Sequence, residues 1–245
     1  MGSTRYPGKP LIEIEGLSMI EHVRRRTLLC DYFKEVVVAT CDQEIFDVVT
    51  TSDGNVVMTS SDHIMASDRV SEVAASLDCT HIVNVQGDEI LVLPEDLDLM
   101  ANTIKNLPDN KYWNAISKIK HENEISDLSI VKCAVNAHDK IMYCARDFSS
   151  LNLGKLFNPV RKVLGILGYS RDALLSYSSL PRTPLEISQS IDQSRIIENG
   201  FDLCSVTFSD GYPGINEPRE VEIVKEILKT NPRQKEILKQ ILYKL

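Results

Sequence analysis

The chain has no excess of positive charge. Its 27 Lys and Arg stand against 35 Asp and Glu, a formal net charge of −8, and the sequence pI is about 5.2. Nucleic-acid binding needs a basic face, so this balance argues against it. No apolar run approaches the ~20 residues that cross a bilayer. The opening Met1-Gly2-Ser3-Thr4-Arg5 does not read as a secretory leader. A cytoplasmic protein with no membrane attachment is expected. The six cysteines, Cys30, Cys41, Cys79, Cys133, Cys144 and Cys204, include no C-x-x-C pair. Reduced, mostly buried thiols are expected rather than disulfides or a zinc site. None of the five histidines pairs with another at metal-ligand spacing, and only His63 lies in a site-like loop. A Walker A loop, internal repeats and low-complexity linkers are also absent.

What is present suits one large α/β domain covering 1–245. Hydrophobic residues make up 43% of the 245, enough for a sizeable core. A short extended piece, Leu11–Gly16, precedes a helix from about Ser18 to Cys30. Strand-like runs follow at Glu35–Thr40, Val56–Met58 and Ile82–Val85. Helices fit between them at about Asp42–Thr50, with Asp42 as N-cap, and about Ser67–Leu77. This βαβ rhythm implies a mostly parallel sheet with helices on both faces. Pro94 opens another helix, to about Ile104, and Trp113–Ile119 reads as a strand. Val131–Val135 and Ile141–Cys144 break the rhythm as a hairpin, a small antiparallel insertion within about 111–165. Residues 147–162 read as loop-rich, then Leu164–Tyr169 as a strand and about Arg171–Ser178 as a helix. One helix is expected from about Thr183 to Asn199, stopped by Gly200. Leu203–Phe208 is a late strand. Helices from about Pro218 to Thr230 and after Asn231-Pro232 close the chain.

Two stretches carry chemistry. In His81–Glu89 an apolar strand stops at Gln86-Gly87, and the carboxylates Asp88 and Glu89 follow. Open α/β sheets hold ligands outside the carboxyl ends of their strands, and a hard cation prefers carboxylate oxygen. The corner therefore reads as a metal and phosphate site, or else as a solvated acidic turn. The first ten residues, Met1-Gly2-Ser3-Thr4-Arg5-Tyr6-Pro7-Gly8-Lys9-Pro10, combine backbone and hydroxyl donors with the charges of Arg5 and Lys9. Such a loop suits a polyphosphate. A flexible tail is the plainer reading.

Taken together, several stretches resemble one family. Gly2-Ser3-Thr4-Arg5-Tyr6-Pro7-Gly8-Lys9-Pro10 resembles the nucleotide-binding signature of the sugar-acid cytidylyltransferases. Val38–Asp42, Met58–Arg69, Asn84–Glu89, Leu164–Tyr169, Pro184-Leu185-Glu186 and Asp192-Gln193 follow in the family's order. The match is best to the 3-deoxy-manno-octulosonate cytidylyltransferase (CMP-Kdo synthetase) family. The resemblance implies a nucleotide-diphospho-sugar transferase type of Rossmann-like fold. It also implies transfer of CMP from CTP to an ulosonic acid, Kdo or a close relative, with Mg²⁺ as cofactor and pyrophosphate released. By this analogy Gly2, Ser3, Arg5 and Lys9 hold the triphosphate, and Lys9 and Asp88 are catalytic. Arg69 and Gln86 contact the nucleotide. Arg146, Glu186 and Gln193 bind the sugar acid, and Asp88 and Asn216 hold metal. A homodimer is expected, with the 111–165 insertion as its interface.

The sequence departs from the family in four places. The family's Pro-Ala-Arg and the strand before it are absent, so the sheet is expected to lack its first strand and the true start is expected upstream. Ile64 and Met65 stand where the loop commonly carries small or polar residues. Asn216 replaces a metal-binding aspartate, with Glu217 beside it. Val163 and Leu167 stand where a histidine and a tyrosine contact the sugar. These departures leave room for two other readings: an impaired homologue acting as a binding or partner subunit, and a relative using a different acidic sugar.

Overall fold

The computed structural model describes residues 6–150 and 159–243. Gly2, Ser3 and Arg5 lie outside the described residues. In chain order the elements are β1 (Glu13–Ile14), β2 (Leu17–Ser18), α1 (Met19–Thr27), β3 (Val37–Thr40), α2 (Gln43–Thr51), β4 (Asn55–Met58), α3 (Ala66–Ala74) and β5 (His81–Val85). Then come α4 (Pro94–Asn106), β6 (Tyr112–Lys118), β7 (Lys132–Val135), β8 (Ile141–Ala145), β9 (Val160–Ser170) and α5 (Arg171–Tyr177). The last are α6 (Pro184–Gln189), α7 (Asp192–Glu198), β10 (Cys204–Thr207), α8 (Arg219–Thr230) and α9 (Pro232–Tyr243). None of the described helices is long and apolar enough to cross a membrane.

Two compact units result. One takes the stretches up to Asp62, from Val85 to Ala101 and from Tyr212 onward; the other takes His63–Asn84 and Asn102–Gly211. In the first unit β3 and β4 pair in parallel, Val37 against Asn55 through Thr40 against Met58. Helix α2 makes the crossover that a parallel pair requires, and it buries Ile45 and Val49 against Val38. Helix α8 buries Val224 and Leu228 beside Ile14, Met19, Ile90 and Leu91. Helix α9 buries Ile237 and Ile241 beside Leu93. Each such side chain contributes ~1.5–3 kcal/mol on burial.

The second unit is built on a sheet of order β10-β6-β9-β7-β8, and β5 also pairs with β9. Strand β6 lies between parallel β10 and antiparallel β9 and is buried from Tyr112 to Ser117. Strand β7 pairs antiparallel with β8 on one side and with β9 on the other, and the β7–β8 pair is the expected hairpin. Their core gathers Tyr112, Leu167, Tyr169, Leu174, Tyr177 and Ile196. The fold is mixed α/β, as the sequence implies.

Three local expectations change. Leu11–Gly16 is not simply extended. A 3-10 turn covers Lys9–Leu11, and β1 and β2 form a hairpin through Glu15 (φ 47) and Gly16 (φ 89). Two successive left-handed residues are what a tight two-residue hairpin needs. Second, the strand expected at Leu164 begins at Val160, because Val160 and Lys162 pair with Ala134 and Lys132 of β7. Third, 183–199 is two helices. Ser190 is left-handed (φ 53) and Ile191 is extended and 2% exposed. The break turns Asp192 and Gln193 inward, where both are buried.

Candidate functional site

In the first unit, the chain leaving β5 turns at Gln86–Glu89, closed by the Glu89 N–H donating to the Gln86 carbonyl at 3.0 Å. Asp88 sits on this turn, and its carboxylate accepts from the Lys9 ammonium at 2.9 Å. Both side chains are partly buried, 14% exposed for Lys9 and 23% for Asp88. Lys9 is aimed by local geometry. Gly8 is left-handed (φ 74), and Pro10 presets the short turn that follows. Tyr6 and Ile12, on either side, pack against the apolar cluster around Ile14.

A second turn meets the first. The Ile215 N–H faces the Asp88 carbonyl at 3.4 Å. Gly214 approaches so closely that a Cβ there would lie 2.8 Å from that same oxygen. The Glu220 carboxylate accepts the N–H groups of Asn216 and Glu217, tying the turn to the start of α8. Glu217 itself pairs with Arg219 at 2.9 Å. One corner therefore collects Lys9, Asp88 and Asn216, with Gln86 on the same turn as Asp88. Its oxygen donors are of the kind a hard cation takes, and Asp88 already holds a cationic group. Among the described residues no three His, Cys, Asp or Glu side chains form a metal cluster. Mg²⁺ commonly binds through one or two carboxylates plus water and substrate phosphates, so this sparse donor set fits it.

In the second unit, Glu186 and Gln193 are engaged internally. Glu186 is fully buried and accepts from Arg195 at 2.8 and 2.5 Å, Arg182 at 3.0 Å and the Thr183 N–H at 3.2 Å. Burial opposes its ionisation, but these donors outweigh burial and hold the carboxyl below its ordinary range. Arg195, 2% exposed, also pairs with Asp68 at 2.8 Å and lies 4.3 Å from the Tyr177 ring centroid. Asp192 accepts from the Ser67 N–H at 3.2 Å and hydroxyl at 2.7 Å. Burial nevertheless raises its carboxyl above the usual value. The Gln193 amide donates to Asn114 at 2.7 Å, and Asn114 donates to the Leu164 carbonyl at 3.0 Å. Together these contacts fasten α6 and α7 to the start of α3 and to β6. Arg69 is half-buried on α3, beside Asp68. Arg146 follows β8 and donates to the carbonyls of Gln189 and Leu128, each at 3.0 Å. Ile64 is 71% exposed, whereas Leu167 is fully buried, with Val163 against the same cluster. His63 pairs with Glu72.

A family model described as "Cytidylyltransferase" matches residues 1–204. The chain belongs to the cytidylyltransferase family. It is 33% identical over 230 residues to the 3-deoxy-manno-octulosonate cytidylyltransferase of Solibacter usitatus, covering 94% of this chain and 91% of that one. To the enzyme of the same name from Leptospira interrogans serovar Lai it is 36% identical, covering 93% and 92%. A solved structure of CMP:2-keto-3-deoxy-manno-octonic acid synthetase complexed with CTP superposes with a TM-score of 0.86 at 31% identity. That likeness covers 93% of this chain and 94% of the other.

Sequence reasoning about this cytidylyltransferase missed Arg195 and Ser67. Arg195 had a signal: it sits three residues after Asp192 on one helix, facing inward with it.

Proposed function

We propose that this cytidylyltransferase transfers CMP from CTP to the anomeric hydroxyl of an ulosonic acid, Kdo or a close relative, and releases pyrophosphate. The pairing of Lys9 with Asp88 beside the Asn216 turn carries the reading. It sets an ammonium for phosphate oxygens next to a carboxylate for a metal. The sugar hydroxyl attacks the α-phosphorus in line and gives up its proton to water. The new C–O–P linkage forms as the bond to the α,β-bridging oxygen breaks, and negative charge grows on the departing pyrophosphate. Lys9 exchanges Asp88 for the triphosphate, and Gly2, Ser3 and Arg5 complete the phosphate cradle. Asp88 and Asn216 hold Mg²⁺, which when bound neutralises charge at the phosphates. Gln86 and Arg69 contact the nucleotide, and the planar guanidinium of Arg146 answers the sugar carboxylate. Glu186 and Gln193 serve sugar binding by holding α6 and α7 in place. The protein works in the cytoplasm as a homodimer joined through 111–165.

The test is pyrophosphate release with CTP, Mg²⁺ and a panel of ulosonic acids. Release with one acid supports the reading and names the substrate. Silence across the panel from folded protein overturns it in favour of a partner subunit, a reading that Asn216 and the exposed Ile64 favour.

A further inference from the structure

Lys132 stands at the start of β7, opposite Ala145 of β8 and Lys162 of β9. Its side chain is fully buried. The ammonium donates to the carbonyl oxygens of Asp127 at 2.6 Å, Ile130 at 2.8 Å and Arg146. Arg146 in turn donates to the Leu128 carbonyl at 3.0 Å, inside the same 127–130 turn. Within that turn the Asp127 carboxylate accepts from the Ser129 N–H at 2.8 Å and its hydroxyl at 2.7 Å. One buried cation thus joins the turn to the backbone of the arginine, and the arginine side chain closes the loop back onto the turn.

We propose that Lys132 is a positioning residue for Arg146, its ammonium fixing the 127–130 turn and the Arg146 backbone so that the guanidinium meets the acid group of the acceptor sugar. This rests on the reading above, in which Arg146 binds the sugar carboxylate. The chemistry is a matter of donor count. A protonated lysine has three N–H donors for three carbonyls, and a neutral one has two. Losing a proton leaves a carbonyl without its donor, which the segment relieves by moving. Burial brings this lysine down to about 8, against the upward pull of Asp127, Asp147 and Glu124 and with the downward push of Arg146. Lys162, opposite on β9, is paired with Glu124. The arrangement therefore loosens within a working pH range.

The experiment measures KM for the sugar acid, KM for CTP and kcat from pH 6.5 to 10, in the wild type, Lys132→Met and Arg146→Ala. The wild-type KM for the sugar is expected to rise about tenfold, the effect of one lost hydrogen bond, with a midpoint near 8. The KM for CTP and kcat should stay within about twofold, since neither depends on holding the sugar. Lys132→Met should show a high sugar KM that no longer changes with pH. A Lys132→Met protein with the wild-type KM and the wild-type alkaline rise overturns the proposal. If Arg146→Ala itself leaves the sugar KM unchanged, the assignment of Arg146 fails instead. Should Lys132→Met not fold, hydrogen exchange of the wild type decides. Protection at the amides of Ser129, Ile130 and Phe148, corrected for intrinsic rate, should fall above pH 8. Unchanged protection contradicts the proposal.

Discussion

Replacing Arg195 by Met should cost more than any substitution on the surface of the second unit. Glu186 is fully buried, and Arg195 supplies its two strongest contacts, at 2.8 and 2.5 Å. Without that guanidinium the carboxylate keeps, among the described residues, Arg182, which is 30% exposed, and the Thr183 N–H. Breaking a buried pair by removing one partner costs ~3–5 kcal/mol, and the contact with Tyr177 adds ~0.5–2 kcal/mol. A loss of about 4 kcal/mol lowers the melting temperature by roughly 8–16 °C for a chain of this size. The assay is urea unfolding followed by Trp113 fluorescence. Trp113 is the single tryptophan and is fully buried in this unit. The double variant Arg195→Met, Glu186→Gln should recover most of the loss, since the orphaned charge is gone while Asp68 keeps its solvent contact. The pH dependence has a definite sign. Glu186 titrates below its ordinary range when folded, so its contribution is full above the unfolded value of ~4.3 and is lost as pH falls through the folded value. The gap between wild type and Arg195→Met should therefore narrow in acid. A single-variant loss under about 1 kcal/mol, the scale of a surface pair, or strict additivity in the double variant, refutes the reasoning.

Other consequences are as direct. His22 is fully buried beside the Ile14 carbonyl, and burial lowers its value from 6.5 to about 4. The unfolded chain then binds a proton that the folded chain refuses, so stability drops as pH falls from 6.5 towards 4, by up to ~3 kcal/mol. His22→Gln should remove that slope, seen as urea midpoints at pH 7 and 4.5 drawing together. Gly214→Ala would set a methyl 2.8 Å from the Asp88 carbonyl. It should destabilise by ~1–3 kcal/mol and slow pyrophosphate release by displacing the Asn216 turn; an unchanged rate would show that the contact does not serve the site. Asn216→Asp should lower the Mg²⁺ concentration for half-maximal release several-fold by adding a second carboxylate. No change would mean that Asn216 is not a ligand.

Much of the fold was legible because periodicity is local. Val37–Thr40, Gln43–Thr51 and Asn55–Met58 each carry their own pattern, and together they give a parallel pair with its crossover. The misreadings fall where long-range contacts decide. No glycine or proline separates Leu185 from Asn199, so the segment reads as one helix. The break at Ser190 answers to the burial of Ile191 and to Ser67, far away in the chain. Val160–Lys162 carries a weak strand signal and becomes strand by pairing with β7. At the site, the motifs marked Lys9 and Asp88 separately, whereas their contact spans 79 residues of sequence. Glu186 and Gln193 were legible as members of a motif. That both are spent on internal partners could be learned only from their neighbours Arg195 and Asn114.

The central claim is that the Lys9–Asp88 corner holds the metal and the triphosphate. Pyrophosphate release from CTP and the active sugar acid, titrated with Mg²⁺ in the wild type and in Asp88→Ala, tests it most directly. The account predicts saturable Mg²⁺ dependence in the wild type and at least a hundredfold lower rate in a folded Asp88→Ala, the scale of losing one preorganised charged group. Wild-type turnover from Asp88→Ala at the same Mg²⁺ concentration would contradict it.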